Sequence, residues 1–239
     1  MNSKIKKLII FDIDGTLLDS MDIDSKCYIK SLENEFGIKK INDDWAIYKH
    51  ATDSGIFQEI YNQYYNTSPK PDDYLKHENS FFNIYNAKLK NNLFSFLQTP
   101  GAKEIIYILK SLPNYFISFA TGSYKKTALL KLKQFNILEN DFPVTTANDA
   151  ISREDILLLS IKKAKNLYKV NKFDKIISIG DEIWDLKTAI NLSLPFIGIG
   201  KNKFKKISNC LSLDNFQDKE QFINTINKSY IPELFYDKN

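Results

Sequence analysis

Residues 9–20 read Ile9-Ile10-Phe11-Asp12-Ile13-Asp14-Gly15-Thr16-Leu17-Leu18-Asp19-Ser20. The run from Lys7 to Ile13 is apolar and of strand length, the pattern of a strand buried on both faces. Two carboxylates stand at its end. Burying charge costs several kcal/mol unless the charge is paired or metal-bound, so Asp12 and Asp14 need a reason to be there. Two apart, they would face opposite ways in a regular strand. Gly15 lets the backbone break out at that point, and both side chains can then reach one site beyond the strand end. The open end of a parallel strand is where α/β proteins bind ligands. Asp-Gly is also a common turn pair. The whole Asp-x-Asp-Gly-Thr pattern, directly after four apolar residues, argues against a plain turn.

Composition sets wide bounds around this stretch. A chain of 239 residues, 43% apolar and 26% charged, can bury a sizeable core, as one large domain or as a core with a smaller module. The net charge of +4 comes from lysines interleaved with acids, without the long like-charge run of a nucleic-acid tail. Cys27 and Cys210 lack partners at metal spacing and read as free thiols in a reducing compartment. The four-residue apolar run before Asp12 is too short for a signal peptide, and no stretch has the length of a membrane span. A cytoplasmic protein without nucleic-acid or membrane partners is the expectation; oligomeric state is not legible.

Between Asp19 and about Phe96 the pattern becomes helical. Ile23, Cys27, Ile29, Leu32 and Phe36 recur at helical spacing and stop at Gly37. Trp45–Tyr65 and Tyr74–Leu93 are rich in Tyr, Phe and Ile without strand alternation, so roughly four helices are expected here. Thr99-Pro100-Gly101-Ala102 punctuates the chain. Beyond it strands and helices alternate, with strands at Tyr115–Ala120, Val144–Ala147, Lys175–Ile179 and Phe196–Ile199. Helices are expected at Ala102–Lys110 and near 124–135, 153–168, 185–192 and 217–228. This alternation predicts a parallel sheet with helices on both faces. The domains are then residues 1–17 with 98–239, and a helical insertion over 18–97.

Two further strand ends carry polar groups. Thr121-Gly122-Ser123 follows Phe119-Ala120 and offers a hydroxyl and backbone N–H groups to an anion, although Thr121 or Ser123 could equally cap a helix. Gly180-Asp181-Glu182-Ile183-Trp184-Asp185 follows Ile176–Ile179. Asp181 and Asp185 are four apart and share a helix face, while acids at a helix start also serve as plain dipole and capping choices. Together with Asp12 and Asp14 they make a cluster that calls for a cation, and all-oxygen ligands select Mg²⁺. Glu182 has no assigned role. In the insertion, Tyr48-Lys49-His50-Ala51-Thr52-Asp53-Ser54-Gly55-Ile56 is the polar, Gly-containing stretch. Such a loop can carry specificity through His50, Thr52 and Asp53, or be a plain inter-helix turn.

Asp12-Ile13-Asp14-Gly15-Thr16-Leu17-Leu18-Asp19-Ser20 resembles the first motif of haloacid dehalogenase superfamily phosphatases, the phosphoglycolate-phosphatase-like branch included. Gly180 to Asp185 is similar to the fourth motif. The order of elements resembles that superfamily's Rossmann-like α/β core with an inserted all-helical cap. The resemblance implies a Mg²⁺-dependent phosphatase acting on a small phosphorylated metabolite through an aspartyl phosphate. Asp12 would be the nucleophile and Asp14 the general acid and base. Mg²⁺ would be held by Asp12, the Asp14 main-chain carbonyl and Asp181, with Asp185 orienting it from outside. Thr121 and Gly122 would hold the phosphoryl group. The usual third-motif lysine is missing at its expected place, where Ser152-Arg153-Glu154-Asp155 stands. Arg153 takes that role in this reading, and Lys162, Lys163 and Lys165 are solvated. A sugar phosphomutase and an inert phosphate-binding module are the alternatives.

Overall fold

The computed structural model describes residues 5–91, 93–137, 140–204, 207 and 209–232. In chain order the strands are β1 (Lys7–Phe11), β2 (Leu18–Asp19), β3 (Leu97–Gln98), β4 (Tyr115–Ala120), β5 (Val144–Thr145), β6 (Lys175–Gly180), β7 (Phe196–Ile199) and β8 (Leu211–Leu213). The helices are α1 (Met21–Phe36), α2 (Asp53–Tyr65), α3 (Pro71–Lys90), α4 (Ala102–Ser111), α5 (Lys125–Leu132), α6 (Arg153–Tyr168), α7 (Ile183–Asn191), α8 (Lys201–Phe204) and α9 (Lys219–Lys228). Six strands form one parallel sheet in the order β5-β4-β1-β6-β7-β8. It is an α/β Rossmann-like core, and the all-helical insertion sits between β2 and β3.

The apolar run of β1 follows from its place at the centre of that sheet. Ile9 and Phe11 pack on one side with Ile105 and Ile106 of α4, Ala128 of α5 and Phe222 of α9. Leu8 and Ile10 pack on the other with Ile156, Leu157 and Ala164 of α6. With both faces covered, no position of the strand is left for polar alternation. Phe11 lies opposite Phe119 on one flank and Ile179 on the other, so the chain leaves three adjacent strands at the same edge. The strand order reverses direction about β1, which is where ligands bind in open α/β sheets.

Among its described residues the insertion has α1, α2 and α3 with a single 3₁₀ turn at Trp45–Ile47, rather than roughly four helices. The stretch from Trp45 does not run on as helix because Thr52 caps α2 afresh, its Oγ1 accepting the Gly55 N–H at 3.1 Å. Gly37 ends α1 in the left-handed region, with φ 65°. The ribbon of β2 and β3, and the edge strand β8, are too short to leave an alternating signature, and none was expected from sequence. β5 is two residues long where Val144–Ala147 was expected.

Candidate active site

Asp12, Thr121 and Asp181 each stand one residue beyond β1, β4 and β6, and the shared register brings them together. Asp12 is held in place by its own N–H, which donates to the Ile179 carbonyl at 2.9 Å. Carboxylate oxygens of Asp12, Asp181 and Asp185 all lie within 4.8 Å of one another, and all three residues are buried. Gly15 has φ 78°, and a Cβ there would sit 2.2 Å from an Asp181 oxygen. A side chain at 15 would therefore push Asp181 out of the cluster, which is a stronger reason for glycine than the turn alone.

The electrostatics are those of acids crowded without enough positive charge. Burial pushes the Asp12 carboxyl well up, and repulsion from Asp185 adds to it against the pull of Arg153. Asp181 is lifted to about 7 by burial and by Asp185, although Lys203 opposes this. Asp185 is raised by burial too, with Arg153 opposing. Asp12 Oδ1 is buried and makes no hydrogen bond. An orphaned carboxylate oxygen beside two further buried carboxylates suits a hard, oxygen-liganded cation, so these residues fit Mg²⁺.

Arg153 enters from the first turn of α6. Its Nη1 lies 2.5 Å from Asp185 Oδ1 and 3.8 Å from Asp12 Oδ1, and its Nε donates to the Ala51 carbonyl at 2.8 Å. The guanidinium sits 5.5 Å from the centre of the Trp184 ring. It thus joins the acidic cluster to the insertion. Lys163, by contrast, is tied to Asp149 at 2.8 Å, away from the site. Glu182 shares Lys203 with Asp181.

Asp14 turns away from that cluster. Its carboxylate accepts from Ser20 Oγ at 2.6 Å, Ser123 Oγ at 2.6 Å and Thr121 Oγ1 at 3.3 Å, and from Lys131 Nζ at 2.5 Å. Lys131, in α5, is completely buried and also binds Asp24 of α1 at 2.7 Å. Burial would raise Asp14, but Lys131, Ser123 and Ser20 outweigh it and hold the carboxyl below its usual range. The same two carboxylates keep Lys131 charged against the cost of burial. Asp24, the more weakly served partner, is lifted to about 6 by burial. Sequence reasoning missed Lys131 and Asp24. The available signal was Lys131 falling in register with Ala128 and Leu132 on the buried face of a helix.

The polar loop of the insertion docks directly on the core. Asp53 N–H donates to the Gly122 carbonyl at 2.7 Å, Tyr124 N–H donates to Asp53 Oδ2 at 2.7 Å, and Thr52 Oγ1 donates to the Ile151 carbonyl at 2.6 Å. Gly122 allows this approach, because a Cβ there would meet the Ala51 carbonyl at 2.7 Å. Thr52 and Asp53 wall a cavity that also reaches Asp14, Thr121, Gly122 and Arg153. His50 is not among its walls; its Cβ backs onto Gly55. His77 lies in the aromatic core of the insertion, stacked on Phe57 with ring centres 4.5 Å apart, far from any metal role. Among the described residues no helix is long and apolar enough to cross a membrane.

The model of one family, haloacid dehalogenase-like hydrolase, matches residues 9–199. No curated protein matches the chain significantly. Among solved structures, a hydrolase from Pseudomonas syringae aligns with TM-score 0.69 at 20% identity, over 91% of this chain and 98% of that one. CbbY from Rhodobacter sphaeroides, in complex with phosphate, aligns with TM-score 0.65 at 15% identity, over 90% and 96%. A predicted phosphoglycolate phosphatase from Haemophilus somnus aligns with TM-score 0.59 at 16% identity, over 93% and 100%. At such identities the likeness is one of fold.

Proposed function

The chain belongs to the haloacid dehalogenase-like hydrolases, and from that premise we propose that it is a Mg²⁺-dependent phosphatase acting on a small phosphate monoester in the cytoplasm. The observation that carries this reading is the meeting of buried Asp12, Asp181 and Asp185 with Arg153 at one edge of the sheet, Arg153 also walling the cavity beside Asp14. Asp12, Asp181 and the main chain of Asp14 would hold the metal, with Asp185 in the same group. When bound, Mg²⁺ supplies the positive charge that lets an anionic nucleophile meet an anionic ester.

In this reading an Asp12 oxygen attacks phosphorus, the P–O ester bond breaks, and the alkoxide leaves with a proton from Asp14. Water then attacks the aspartyl phosphate, giving up a proton to Asp14, and the P–O bond to Asp12 breaks. Lys131 favours the ionised form of Asp14, the form that takes the proton from water, and the proton so taken is the one given to the alkoxide in the next turnover. Thr121, the Gly122 backbone and Arg153 hold the oxygens that do not leave. In the same reading the cap is residues 18–97, with Thr52 and Asp53 as its specificity residues. The test is hydrolysis of 4-nitrophenyl phosphate. We expect it to vanish on chelation and to fall by at least about 10³-fold in Asp12→Asn, with the fold retained. Wild-type turnover in that variant would exclude Asp12 as nucleophile.

A further inference from the structure

The cavity beside Asp14 has a lining of two kinds. Arg153, Thr121, Gly122 and Ser123 suit a phosphoryl group, and Trp184 lies against Arg153. The rest of the wall includes Tyr28, Trp45 and Phe81, with the carboxylates of Asp24 and Asp53. Among the described residues that line it, Arg153 is the single cationic side chain. Lys131 brings no spare charge, since Asp14 and Asp24 share it at 2.5 and 2.7 Å. The ring hydroxyl and indole N–H are also spent within the protein: Tyr28 Oη donates to the Asp53 carbonyl at 2.8 Å, and Trp45 Nε1 donates to Ser25 Oγ at 2.7 Å. What remains for a ligand is aromatic surface and carboxylate.

A second phosphate or a carboxylate placed there would lose its hydration and find no counter-charge. An apolar alcohol would find ring faces, and an ammonium would find both ring faces and acids. Burial lifts Asp53 to about 8, so a bound cation would restore its charged form and a bound anion would disfavour that form further. The space is small, about 70 Å³ where one ordered water needs about 10–15 Å³, enough for a phosphoryl group and a short alcohol.

We propose that this enzyme selects monoesters of short alcohols that are uncharged or carry an ammonium, and rejects esters bearing a second phosphate or a carboxylate. The inference rests on the phosphatase reading for the place of the phosphoryl group. It also disfavours transfer to a second hydroxyl of a sugar monophosphate, because that product is a bisphosphate.

Two readouts separate this proposal from the reading beneath it. The first is kcat/KM, relative to 4-nitrophenyl phosphate, for O-phosphoethanolamine, propyl phosphate, 2-phosphoglycolate and a hexose 1,6-bisphosphate. The second is calorimetric binding of the same four esters to Asp12→Asn with Mg²⁺ present. We expect the first two esters to lead the last two by on the order of 10²-fold in both, the scale of burying an anion without a counter-charge. Asp53→Asn should narrow that gap by about tenfold. Equal or better binding of 2-phosphoglycolate or the bisphosphate would overturn the proposal. Binding in the expected order without any turnover would overturn the phosphatase reading and leave the selectivity standing.

Discussion

At the scale of single residues, Lys131 is the least expected and the most consequential. A lysine with no exposed surface is costly unless paired, and here two carboxylates from different parts of the chain meet it. Its Nζ also lies over the Tyr85 ring, 5.4 Å from the ring centre, so an aromatic face adds to the two carboxylates. Lys131→Met would leave Asp14 and Asp24 buried with no cation between them. We expect a loss of about 3–5 kcal/mol in urea unfolding, the cost of breaking a buried ion pair from one side. Adding Asp24→Leu should recover at least about 1 kcal/mol, because one stranded charge is removed and the two sites couple. A single variant within about 0.5 kcal/mol of wild type would show that the triad adds nothing to stability. Asp12 and Asp181 were legible in the sequence because each stands at the end of an apolar run, and Asp185 because it is four residues from Asp181. Lys131 was not, because one lysine on a helix is read as solvated unless the buried face is already known.

At the scale of elements, the sequence marked strand ends better than it marked the insertion. β1, β4, β6 and β7 are apolar runs closed by Gly, Asp or Thr, and their length and punctuation identify them. α1 and α3 were equally plain in outline, but the aromatic residues of the insertion blur helix boundaries, since Tyr and Phe fit a helix face or a strand. His77 of α3 shows what that aromatic packing does to a titratable group. Buried against Phe57, with Nδ1 3.0 Å from Tyr124 Oη, its imidazole is driven by burial to about 3. An unfolded chain would bind the proton near 6.5. Between those values the unfolded state holds the extra proton, so stability rises with pH; the contribution is complete above about 6.5 and is lost as pH falls toward 3. From pH 6.5 to 5 the loss should come to about 2 kcal/mol. His77→Phe keeps the ring stack and removes the titration. Denaturant unfolding of both proteins at pH 7 and pH 5 should therefore show the wild type weakening more than the variant by that amount. Parallel losses would mean that His77 takes up its proton in the folded state.

At the scale of the whole molecule, the chain crosses between core and insertion at one narrow junction, beside the docked loop of residues 51–53 and the Asp24–Lys131 pair. β2 and β3 pair antiparallel with Asp19 opposite Leu97, so the chain enters and leaves the insertion at neighbouring positions. Among the described residues, the core clusters about β1 and α7 draw no fully buried residue from 20–96. The insertion has its own aromatic cluster, to which the core contributes Tyr124 and Ala147. Replacing residues 20–96 by a short linker should thus give a folded core that unfolds cooperatively, since cross-strand partners lie only about 5 Å apart. The excision frees Arg153 from the Ala51 carbonyl and Lys131 from Asp24, and it uncovers Tyr124. Asp14 loses the Ser20 hydroxyl but keeps Lys131 and Ser123, and Arg153 keeps Asp185, so the ion pairs at the strand ends persist. Hydrolysis of 4-nitrophenyl phosphate should therefore survive, because its leaving group is activated and needs no second binding surface. Discrimination among alkyl esters should collapse, since the part of the substrate that does not react would have lost its wall. A truncated enzyme that still ranked those esters as the full chain does would move the source of specificity from the insertion to the core.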